Sequence, residues 1–160
     1  MAQSLEKQVE QFLQAGEKKR TILKKLDNGD NHAKLIYVLN NKSLLHRRHK
    51  YLWINVALAI ALLLVTLNRL LAISNAGHFD FYLLADFIVP TINFYVLREI
   101  LLFQRTGYMF LTVLTGLALL YPENRTMPLL FVNIGMICLA VFLYVKLFPK
   151  NEILERRSKS

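Results

Sequence analysis

A single cysteine, Cys138, lies inside an apolar run, so the chain cannot build an intrachain disulfide or a cysteine-based metal site. Motifs that carry chemistry are missing as well: the sequence holds no glycine-rich phosphate loop, no nucleophile paired with a base and no zinc signature. Nor does any segment recur at a period of roughly 20–50 residues, as a solenoid or propeller would require. No catalytic residue, metal or cofactor is therefore expected. Acidic residues are also scarce, eleven against twenty Lys and Arg in 160 residues, for a net charge of +9. The polar amino terminus lacks the apolar core of a cleavable signal peptide, and the first apolar stretch is expected to act as an uncleaved insertion signal.

What is present is apolar and segregated. Hydrophobic residues make up 54 % of the chain, too many for an ordinary soluble domain of this charge. Residues 1–50 carry eleven Lys and Arg against five Asp and Glu, net +6, while residues 51–160 carry only +3. A basic flank ahead of apolar runs points to membrane topology and anionic lipid. Nucleic acid is not an expected partner, because no folded basic face interleaved with aromatics is evident.

Within the first fifty residues the apolar positions follow helical spacing. Leu5, Val9, Phe12 and Leu13 share one face, and Ile22, Leu23 and Leu26 share another among Lys18, Lys19, Arg20, Lys24 and Lys25. Asp27-Asn28-Gly29-Asp30 reads as a turn, after which Asp30 or Asn31 can cap a helix bearing Leu35, Ile36, Val38 and Leu39. The segment is expected to form a basic amphipathic helical hairpin, too small to bury a sizeable core alone. Its apolar faces then go either to the lipid surface or to a protein partner. Arg47, Arg48 and Lys50 form a collar before the first apolar run and are expected to contact lipid headgroups. His46 and His49 share a helical face, but two histidines are too few for a metal site.

Four apolar stretches follow, at about 51–73, 81–103, 107–121 and 127–148, with a basic tail at 149–160. The expected fold is an all-α integral membrane protein, four transmembrane helices preceded by the cytoplasmic amphipathic hairpin. The third stretch is short: fourteen residues, Tyr108 to Tyr121, reach about 21 Å against a hydrocarbon core of roughly 30 Å. Gln104-Arg105-Thr106-Gly107 reads as a tight polar connection ahead of it. With the amino terminus in the cytoplasm, four spans leave only Arg69 and Arg125 outside, and both termini fall on the positive side. Either a bacterial inner membrane or a eukaryotic endomembrane suits this topology.

The second stretch holds the one ionisable residue near the middle of a span. On a helix Asp86, Pro90, Asn93 and Leu97 line one stripe. A carboxylate in hydrocarbon costs roughly 2.5–3.5 kcal/mol, so this stripe should face protein or water. Asn75 to His78 reads as a short turn, which would make the first two spans neighbours and bring Arg69 within reach of Asp86. Asp86, Asn93 and Arg69 are thus the candidate intramembrane polar site, with Pro90 as a helix kink. The pattern leaves open whether Arg98 and Glu99 end this span or form its last turn. Two functions follow. The first is a non-enzymatic scaffold or accessory subunit, with the polar residues Asn55, Asp86, Asn93 and Asn133 gluing helices together and the amphipathic helices meeting lipid, a protein partner or a homo-oligomer. The second is a small oligomeric transporter or channel with Asp86 and Asn93 as a cation or proton site.

Overall fold

The computed structural model describes residues 4–75 and 87–154, and its regular elements among these are all helical. The chain divides into two compact units, Met1–Tyr51 with Val145–Ser160, and Leu52–Tyr144.

The first unit contains α1 (Leu5–Gln14), α2 (Lys19–Leu26), α3 (His32–Asn41) and the short α4 (Leu45–Lys50). Gly16 ends α1 at a φ of 80°, and the amides of Gly16 and Glu17 return to the carbonyls of Leu13 and Phe12. This left-handed stop satisfies two carbonyls that the helix end leaves open, and glycine takes it without a Cβ clash. Gly29 also takes a left-handed φ, 81°, in the next turn, where Asp27 Oδ1 accepts its amide at 3.1 Å. The three helices so placed turn Val9, Leu13, Ile22, Leu35, Val38 and Leu39 onto one another, all but fully out of solvent. A three-helix cluster therefore stands where the sequence predicts a hairpin with its apolar faces open. The missing cover comes from the far end of the chain. Leu154 packs against the cluster, and its amide and carbonyl both hydrogen-bond the Asn40 side chain, at 2.8 and 2.9 Å.

The second unit contains α5 (Leu52–Asn75), α6 (Ile88–Leu101), α7 (Arg105–Ala118), a single 3-10 turn (Pro122–Arg125) and α8 (Leu129–Leu147), whose last three residues belong to the first unit. Among the described residues two helices, α5 and α8, are long and apolar enough to cross a membrane. At fourteen residues apiece α6 and α7 are about 21 Å long. Arg98 and Glu99 lie inside the last turns of α6. Pro90 is the third residue of α6, where its missing N–H is one the helix start leaves unpaired anyway. The tight turn moves: it runs through Leu102–Gln104, while Arg105, Thr106 and Gly107 already form the first turn of α7. Phe103 makes that turn at a φ of 53°, with the amides of Phe103 and Gln104 returning to Ile100 and Glu99. A left-handed conformation costs a residue with a Cβ roughly 1–2 kcal/mol, opposed here by burial of the Phe103 ring.

Candidate functional site

Polar side chains in the second unit concentrate in two places, one at each end of its helices. At the end where α5 begins, Asn55 is 1 % exposed. Its amide nitrogen donates to the carbonyl of Ile100 at 3.0 Å, and its oxygen accepts the hydroxyl of the fully buried Tyr108 at 2.6 Å. One side chain thus joins α5, α6 and α7. Beside it Glu99, 4 % exposed, accepts the Thr106 hydroxyl at 2.9 Å and an Arg98 N–H at 3.1 Å. A Cβ on Gly107 would meet the Glu99 Cβ at 2.8 Å and the Ile100 nitrogen at 2.9 Å. Only glycine lets α7 approach α6 this closely. On the α8 side Arg105 donates to the Tyr144 hydroxyl through Nε at 2.9 Å and lies over its ring, 5.2 Å from the centroid.

The backbones of α5, α6 and α7 stay close in chain order, while α8 approaches none of them as tightly. At the opposite end a cavity of about 520 Å³ is lined by all four helices. Its walls are mainly apolar, with Leu62, Ile92 and Met136 among them, and its polar lining includes Arg69, Asn93, Thr115 and Asn133. The structure therefore brings together two of the three residues singled out from the sequence, Arg69 and Asn93. Asp86, the third, lies outside the described residues. Asn93 donates to the Thr66 hydroxyl at 3.1 Å, and Thr66 in turn donates to the Leu62 carbonyl at 2.7 Å, so this amide is also a tie between α5 and α6. Asn133 is buried at the α8 wall.

The basic collar of the first unit is largely engaged. Arg48 hydrogen-bonds Glu10, which also takes Lys42 Nζ at 2.6 Å. Arg47 pairs with Glu152 at 2.7 Å and donates to the Lys146 carbonyl at 2.8 Å. Lys50 is exposed, 5.7 Å from the Tyr51 ring centroid. Burial raises the Glu10 pKa, but hydrogen bonds and charge from Arg48 and Lys42 outweigh it and hold the carboxyl below its ordinary value. Asp27 is lowered too, by the Gly29 amide first and by His32. His46 and His49 are exposed, and no group of three or more potential metal-binding side chains occurs among the described residues.

Sequence reasoning missed Glu99 and Tyr108 as a pair of anchors. A signal existed, since Glu99 is the one carboxylate late in an apolar run and Gly107 directly precedes Tyr108, but nothing in the spacing says that the glycine serves packing and not a turn. No family model matches the chain, and no curated protein and no solved structure matches it.

Proposed function

We propose that the chain is a four-span membrane protein acting as a non-enzymatic scaffold or accessory subunit, with its first unit on the cytoplasmic side. One observation carries this reading. Buried and half-buried polar side chains of the second unit hold helices together: Asn55 on three helices at once, Glu99 and Thr106 across α6 and α7, Asn93 and Thr66 across α5 and α6. In a bilayer, where apolar contact between helices gains little over lipid, such bonds and close small-residue packing decide assembly. The four-span reading rests on the faces of the short helices. Phe94 and Tyr95 on α6 and Phe110 and Val113 on α7 are exposed in the same way as Leu64 on α5 and Phe131 on α8. Arg69 and Arg125 then lie alone among Lys and Arg on the outer side, in keeping with the preference for cations inside.

The surface offered to a partner is the exposed cationic side of α2, where Lys18, Arg20 and Lys24 project. The apolar faces of α1 to α3 have already closed on one another, which leaves charge as the means of recognition. A tagged wild-type protein recovered from its own membrane in mild detergent should bring down a stoichiometric partner. The K18E/R20E/K24E variant should lose that partner while remaining folded and inserted. Recovery of a homo-oligomer alone, indifferent to the charge reversal, would sink the accessory-subunit reading.

A small oligomeric transporter with Asp86 and Asn93 as a cation or proton site is the second reading, favoured by the place of Asn93 in the cavity wall. Against it stand the Thr66 hydrogen bond that Asn93 already makes and the positive charge of Arg69 in the same lining. Proton or cation flux into vesicles that Asp86→Asn abolishes would reverse the order of the two.

A further inference from the structure

The cavity is unlike the rest of the polar interior. Elsewhere in the second unit polar side chains meet one another, whereas here a volume of about 520 Å³ lies between apolar walls with a guanidinium among its lining groups. That size falls in the range of small-molecule sites, as does a mostly apolar wall with a few polar groups. Arg69 is the only charged residue among the described residues of the lining. An anionic head entering the cavity would find a fork of donors on Arg69, which a neutral apolar molecule could not use. Arg69 follows Leu52 by seventeen positions on α5, about 26 Å along the axis, while Leu62 and Met136 lie about seven positions deeper than Arg69 and Leu129 on their helices, roughly 10 Å. The charge thus stands toward the helix ends and the apolar wall toward the helix middles. A volume of that order suits one acyl chain.

We infer that this cavity binds a single-chain amphiphile with one anionic head, the head on Arg69 and the chain running between Leu62 and Met136. The chemistry is shared by a free fatty acid and by a single-chain phosphate monoester, and the inference holds whether or not the chain is an accessory subunit.

The test uses the full chain in a non-ionic detergent, with palmitate, hexadecyl phosphate and hexadecanol as probes and native mass spectrometry to count bound molecules. One molecule of palmitate or of hexadecyl phosphate per chain is expected, at an affinity at least about tenfold above hexadecanol, which has the chain without the charge. The more strongly retained acid identifies the source. Arg69→Ala should remove the preference for the acids over the alcohol, Arg69→Lys should keep most of it, and Ala118→Phe, which fills the lining from α7, should lower retention of all three. Equal retention of acid and alcohol by the wild type would overturn the inference. So would an unchanged preference in Arg69→Ala, or full retention in Ala118→Phe, and unchanged partner recovery in either variant would leave the scaffold reading standing by itself.

Discussion

The two units solve the same problem with opposite surfaces. In the first, Val9, Leu13 and Leu39 are hidden and Lys18, Arg20 and Lys24 face out, which is the arrangement water imposes. In the second, Asn55, Glu99 and Asn133 are hidden, while Leu64 is 61 % and Phe131 63 % exposed. Two of its helices, α5 and α8, are long and apolar enough to cross a membrane, and in the membrane placement we propose such exposed apolar faces meet lipid. The comparison teaches where the stabilising free energy of each unit comes from. Apolar burial holds the first together, while in the second interhelical hydrogen bonds and close backbone approach stand beside buried Leu58, Ile100 and Leu111.

The largest break in that comparison is expected from a leucine exchanged in each unit. Leu39→Ala empties a fully buried position of the first unit and should cost about 2–5 kcal/mol, read as faster hydrogen exchange across α1 to α3 in the full-length protein. Leu64→Ala, on the exposed face of α5, should change stability in detergent by less than about 0.5 kcal/mol. Similar losses from both would mean that the outer face of α5 is covered, and the contrast between the units would fall.

A second break exchanges glycines. Gly107→Ala pushes a methyl into Glu99 and the backbone of Ile100 and should cost about 1–3 kcal/mol in denaturant titration of the second unit. Gly116→Ala meets nothing within 4 Å and should be neutral or stabilising by up to about 1 kcal/mol, through helix propensity. A tolerated alanine at 107 would show that close approach of α6 and α7 is not what fixes their pairing.

How far these features can be read in the sequence depends on whether their cause is local. The apolar faces of α1 to α3 follow from spacing along a few turns, and so does the length of α5. What those faces pack against does not, because Leu154 arrives from more than a hundred residues away to cover them. The turn after α6 misleads for a physical reason: a Phe takes the left-handed position that glycine usually marks, so Gly107 draws the eye to the wrong residue. Arg69 and Asn93 are legible as out-of-place polar residues, but the cavity that both line is a property of tertiary packing that no single segment encodes. Arg47 and Arg48 look like free charges in the sequence because their partners, Glu152 and Glu10, lie 105 and 38 positions away.

The smallest expected effect concerns those partners. The Glu10 carboxyl is held below its ordinary value in the folded state, so it contributes stability above the unfolded pKa of about 4.3, and that contribution fades as pH falls through the folded value. A partly exposed ion pair of this kind contributes under about 1 kcal/mol. Thermal melts of the full-length protein should therefore show Glu10→Gln slightly less stable than wild type near pH 7, with the gap closing as pH falls below about 4. Should the gap persist into acid, Glu10 would be acting through packing and not through charge. The first unit would then hold its surface by contacts of the same kind as its core, and the contrast with the hydrogen-bonded interior of the second would be sharper than surface ion pairs now allow.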